Sequence, residues 1–94
     1  MVRVIKSFRC KKTARLYRGE RVSAFSGFAR QADKRLRILD ASESLDALRA
    51  LPSNRFETLS GDRIGQYSIR VNKQWRICFE WDEGPQRVEI VDYH

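Results

Sequence analysis

The sequence predicts an α+β domain, in which an N-terminal strand and helices pack on one face of a mostly antiparallel sheet. Three observations lead there. A short alternating segment opens the chain, apolar residues then recur at helical spacing as far as Pro52, and beyond Pro52 the period falls from 3.6 to 2. Ninety-four residues make one such domain, residues 1–94, with a modest core and no room for a second.

Val2 to Phe8 sets Val2, Val4 and Phe8 against Arg3 and Lys6, which suits a half-buried first strand. Lys11 to Tyr17 follows as a helix, with Ala14, Leu16 and Tyr17 on its apolar side and Gly19 ending it. The second helix is clearer. Phe28, Ala32, Leu36 and Leu39 form an i, i+4, i+8, i+11 stripe opposite Arg30, Lys34 and Arg37. Ser42 or Ser44 caps a short helix carrying Leu45, Leu48 and Leu51, and Pro52-Ser53-Asn54 breaks the chain. Phe56 to Leu59 reads as a strand and Ser60-Gly61-Asp62 as a turn; Tyr67, Ile69 and Val71 then alternate with Ser68 and Arg70. Asn72-Lys73-Gln74 is a hairpin connection. After it Trp75, Ile77, Phe79 and Trp81 point to one face, as core, and Arg76, Cys78 and Glu80 to the other. Asp82-Glu83-Gly84-Pro85 turns the chain into a last strand, Arg87 to Val91, ending in Asp92-Tyr93-His94. The face away from the aromatic row is expected to be open, with Arg76 on it.

Nineteen Lys and Arg against twelve Asp and Glu leave +7, with a pI near 10.0, a balance that favours a polyanionic partner over a small neutral substrate. The excess is local. Between Arg3 and Arg21 there are eight basic residues and one acid, and elsewhere the charges cancel. Within that stretch Arg9, Lys11, Lys12, Arg15 and Arg18 are candidate phosphate contacts, with Arg63 and Lys73 in later turns. Such contacts hold and orient RNA without reading its sequence. Cys10 and Cys78 have no CxxC spacing and no nearby histidine, which argues against zinc and for two reduced thiols, Cys78 in or near the core. No metal and no cofactor is expected. The sequence shows no secretory signal and no apolar run of membrane-spanning length, so a cytoplasmic protein without a membrane partner is expected.

Cutting RNA without a metal takes a base for the 2′-hydroxyl proton, a cation for the charge gathering on phosphorus and an acid for the departing 5′-oxygen. Glu57 and Asp92 are the candidates for the base. Arg76 offers a planar bidentate clamp for phosphate, unless it pairs with Glu80 or Glu89. His94, the sole imidazole, is the candidate acid. Tyr93 is suited to stack on a base or orient the ribose. Whether the chain end reaches Arg76 depends on strand order, which periodicity does not give.

Ile5-Lys6-Ser7-Phe8, Leu36 to Ala41, Leu59 to Ile69 with its Gly61-Asp62-Arg63 block, Val71-Asn72, Trp75 to Phe79 and the closing Val91-Asp92-Tyr93-His94 together resemble the HigB toxins of the RelE superfamily, also called plasmid-maintenance killer proteins. The resemblance runs nearly end to end. It implies a compact RelE-like, microbial-ribonuclease-like fold and a type II toxin that enters the ribosomal A site and cuts the bound mRNA. It also implies a HigA-like helix-turn-helix antitoxin, which silences the toxin and with it represses the operon, touching operator DNA through the complex. Arg76, Asp92, Tyr93 and His94 match the catalytic pattern. Two positions depart from it: Glu57 stands where some relatives carry histidine and Ser60 where they carry lysine, so the base stays open between Glu57 and Asp92. The loss of the lysine implies weaker charge stabilisation and a milder toxin. Two other classes compete with an endoribonuclease: a non-catalytic RNA- or ribosome-binding inhibitor of translation, and a DNA-binding co-repressor subunit.

Overall fold

A computed structural model describes residues 5–92. Three helices, α1 (Lys11–Tyr17), α2 (Ala29–Ala41) and α3 (Leu45–Ala50), precede a four-stranded antiparallel sheet of β1 (Glu57–Thr58), β2 (Tyr67–Arg70), β3 (Trp75–Trp81) and β4 (Pro85–Asp92) in the spatial order β1-β2-β3-β4. This is the expected α+β class. Every connection between consecutive strands is a local reversal.

The helical stripe acts as read. Ala32, Leu36 and Leu39 of α2 are fully buried and Arg30, Lys34 and Arg37 are exposed. Leu16 of α1 and Leu48 of α3 join them against Ile69, Ile77, Phe79, Val88 and Ile90 of the sheet. Phe28 falls just outside α2, at its N-cap, where its ring stacks on Trp75 at 4.8 Å. Gly19, at φ 92°, adopts the left-handed conformation that closes α1, its N–H donating to the Leu16 carbonyl at 2.9 Å. Ser44, not Ser42, caps α3: its hydroxyl accepts from Ala47 N at 3.1 Å. Leu51, expected on the buried side of α3, lies past the helix end and is 39% exposed. Pro52 explains this, since the residue before a proline is driven to extended backbone, and Leu51 has ψ 104°.

The N-terminal strand is a correction. Residues 2–4 of that expectation lie outside the described residues; of the rest, only Phe8 makes a bridge, parallel to Val88. Segment and edge are nonetheless tied. Lys6 N donates to the Pro85 carbonyl at 2.9 Å, Arg9 N to the Val88 carbonyl at 3.0 Å, and Val88 N to the Ser7 carbonyl at 3.1 Å. The pairing stays short because β4 is irregular there: one more residue separates Gln86 from Glu89 than separates their partners Glu80 and Cys78, and Arg87 takes φ 52°. Such a bulge bends a strand and interrupts its ladder. Further along β4, Ile90 N donates to the buried Thr13 hydroxyl of α1 at 3.0 Å, so a side chain takes over where backbone pairing stops. Together these contacts cover an edge that would otherwise present unpaired donors.

A candidate active site on the far face of the sheet

Strand register decides which candidates meet. Glu57 is opposite Ser68, Ser68 opposite Cys78, and Cys78 opposite Glu89, so these four side chains form one row across the sheet on the face away from the helices. Arg76 lies on the same face, between Arg70 and Val91. That face is not open as expected. Ser68 and Cys78 are fully buried, and Arg76 is only 8% exposed.

Arg76 pairs with neither Glu80 nor Glu89 among the described residues. Its Nε donates to the Ser68 hydroxyl at 2.8 Å, and its Nη2 to the carbonyls of Ser68, at 3.4 Å, and of Arg55. Arg55 takes a left-handed conformation, φ 46°, directly after the Pro52–Asn54 turn, which is costly for a residue with a side chain. The cation is thus oriented by neutral oxygens. Among the described residues Nη1 makes no hydrogen bond and no buried side-chain nitrogen is left without a partner, so this edge of the guanidinium reaches the surface. An arginine fixed at Nε and Nη2 with Nη1 at the surface is preorganised to donate to an incoming anion.

Charges converge round the buried Cys78 thiol. Burial is the main cause pushing it up to about 11; Arg63 and Arg76 oppose the rise, and Glu89 and Glu57 add to it. At neutral pH the thiol is protonated, which removes it as a nucleophile. Arg63, in the Gly-Asp-Arg turn, donates to Glu89 at 3.1 Å and to Gln66 at 3.0 Å. Arg9 reaches the same carboxylate at 3.5 Å. Two of the seven expected RNA-contacting cations thus share Glu89 on the rim of this face.

Asp92 is elsewhere. It is opposite Trp75, on the helix-facing side, and accepts from Gln74 Nε2 at 2.9 Å. Strand alternation separates it from Arg76 and leaves Glu57 as the candidate base on the Arg76 face. Tyr93 and His94 lie outside the described residues. On α1, Lys11 and Lys12 are exposed, while Arg15 and Arg18 both bond Glu20 at 3.2 Å. The Arg15 hydrogen bond, then that of Arg18, holds the Glu20 carboxyl below its ordinary range. Lys73 sits exposed in the β2–β3 turn.

The sequence reading missed Ser68 and the Arg55 carbonyl, which orient Arg76, and it offered Glu89 to Arg76 where the carboxylate instead pairs with Arg63 and Arg9. Ser68 carried a signal, being a polar residue in phase with Arg76 on a neighbouring strand. Arg55 carried none beyond its place after Pro-Ser-Asn. Among the described residues no group of three or more His, Cys, Asp or Glu side chains could hold a metal ion, and no helix is long and apolar enough to cross a membrane.

Residues 6–94 match the family described as the RelE-like toxin of the type II toxin–antitoxin system HigB. Over 61 residues the chain is 46% identical to Toxin HigB-1 of Vibrio cholerae serotype O1, covering 65% of this chain and 64% of the relative. It is 34% identical over 61 residues to an uncharacterized protein of Haemophilus influenzae, covering 65% of this chain and 60% of that protein. The chain therefore spans under two thirds of the length of these relatives in the matched region.

Proposed function

Because the chain belongs to the RelE-like HigB toxins of type II toxin–antitoxin systems, we propose that it is a metal-independent endoribonuclease that cuts mRNA in the A site of cytoplasmic ribosomes. Its partners in this reading are the ribosome with its message and a HigA-like helix-turn-helix antitoxin, through which the complex reaches operator DNA. The observation that carries the reading is Arg76: a buried guanidinium held by Ser68 and the Arg55 carbonyl, with Nη1 at the surface and Glu57 on the same sheet face.

In the reaction Glu57 removes the proton of a ribose 2′-hydroxyl and the 2′-oxygen attacks the adjacent phosphorus. Charge builds on the non-bridging oxygens, where Arg76 donates from its surface edge. His94 gives a proton to the departing 5′-oxygen, leaving a 2′,3′-cyclic phosphate and a 5′-hydroxyl, and Tyr93 stacks on the displaced base. Base, cation and acid are all side chains, so no metal is required. Arg9, Lys11, Lys12, Arg15, Arg18, Arg63 and Lys73 supply phosphate contacts that dock the protein.

Primer extension on a translated message tests the assignment. Glu57→Gln, Arg76→Lys and deletion of His94 should each lower cleavage by roughly 10² or more, with Asp92→Asn closer to the parent and chelators without effect. A larger loss in Asp92→Asn than in Glu57→Gln moves the base to Asp92. Translation blocked by the parent without any cut overturns the reading in favour of a non-catalytic inhibitor.

A further inference from the structure

We propose that a cleft lined by Arg35, Arg55, Arg70 and Lys73 is a second phosphate-binding site, one that holds the backbone of the bound RNA beside the nucleotide clamped by Arg76. The inference deepens the reading above by adding a backbone subsite next to the reacting phosphate.

The cleft arises because β1 is too short to cover β2. Only Tyr67 and Ser68 of β2 pair with β1, so the edge at Arg70 and Val71 faces the Pro52–Asn54 turn across a gap of about 410 Å³. Gln31 and Arg35 of α2 close one wall, Ser53 and Arg55 another, and Arg70 to Lys73 the third. No carboxylate lines it, and among the described residues none of its four cations forms an ion pair. A concave surface with one sign of charge concentrates its field on a counter-ion.

Two of the walls are built rather than incidental. Arg35 Nη1 is held by Asn54 Oδ1 at 2.9 Å and Ser53 Oγ at 3.2 Å, and Asn54 is itself fully buried, its Nδ2 donating to the Leu48 carbonyl at 3.0 Å. Arg70 Nε donates to the Asn72 carbonyl at 3.1 Å. Arg70 is also directly opposite Arg76, at a cross-strand Cα separation of about 5 Å. Like charges so placed repel, and an anion between or beside them relieves the repulsion. Arg55 links the two sites, since it lines the cleft and its carbonyl accepts from Arg76. A polyanion with regularly spaced charges fits both at once. Because its charged groups are all cations, which suit phosphate oxygens, the cleft positions a strand through its backbone and not through its base sequence.

The test is the affinity of the full chain for a fluorescent 2′-O-methyl RNA 12-mer, which cannot be cut, measured over a KCl series. The variant Arg55→Gln/Arg70→Gln/Lys73→Gln should bind at least tenfold more weakly at low salt. Its slope of log K against log [KCl] should be shallower by about 0.7 for each lost contact. Lys73→Gln alone, in an exposed turn, should show one such step and serves if the triple variant does not fold. An unchanged slope in Lys73→Gln and in the folded triple variant overturns the proposal. So does intact RNA binding with loss of binding to duplex DNA or to a polyglutamate peptide, which would assign the cleft to operator DNA or an acidic protein. Because the probe is not cleaved, a parent that binds it through the cleft yet fails to cut message would refute the ribonuclease reading and leave this site standing.

Discussion

Two residues on the far face show how burial and charge divide the work there. The largely buried Arg76 guanidinium is oriented by carbonyl and hydroxyl oxygens, which satisfy its donors without neutralising the charge an incoming phosphate would meet. Cys78 is the opposite case, a thiol whose burial keeps it neutral. Its ionisation makes a testable contribution. The folded thiol is raised to about 11 from an ordinary 9.0, so the unfolded chain gives up its proton first. This contribution is fully present below about pH 9 and is lost as pH rises towards about 11. Urea denaturation from pH 8 to 11 should therefore show the parent losing on the order of 2 kcal/mol more than Cys78→Ala over that window. Parallel pH profiles for the two proteins would mean that the thiol is not shielded.

At the scale of elements, the joint between α1 and the edge of β4 depends on one hydroxyl. Thr13→Val keeps the side-chain volume but leaves Ile90 N without its acceptor in a buried place, which should cost about 1–3 kcal/mol. Denaturant titration gives the loss, and amide exchange at Ile90 should accelerate before that at Ile77; uniform acceleration would show the contact to be unimportant locally. The joint also marks where the sequence stops being legible. Helix stripes and strand alternation are local, so α1, α2, β2 and β3 could be read within a residue or two, as could the Ser44 cap. Alternation also separates Arg76 from Ile77 and Phe79. What it does not contain is which residue on one strand faces which on the next. That register puts Glu57 on the Arg76 face and Asp92 opposite Trp75. The bulge near Arg87, which reduces the first strand to a single bridge, depends on contacts spanning about eighty positions. Leu51 was misread for a nearer reason, the backbone restriction imposed by Pro52.

For the whole molecule, the excess of +7 is not spread as composition alone suggests. Among the amino-terminal cations Arg15 and Arg18 share Glu20, and Arg9 shares Glu89 with Arg63. Lys11 and Lys12 of the same helix are exposed and form no ion pair among the described residues. Counterion release requires a cation to meet phosphate, and an arginine already beside a carboxylate must exchange one partner for another, gaining less. The five candidate contacts should therefore contribute unequally to docking. Lys11→Gln/Lys12→Gln should weaken ribosome association more, and flatten its dependence on salt more, than Arg15→Gln/Arg18→Gln, with a slope change approaching two contacts for the lysine pair. Sedimentation of the protein with ribosomes across a KCl series measures both slopes. Adding Glu20→Gln to the parent sharpens the comparison, because releasing Arg15 and Arg18 should steepen the slope if that surface meets RNA. Identical slopes for the two double variants, with no response to Glu20→Gln, would place the docking surface away from α1 and leave its charge a solvated face.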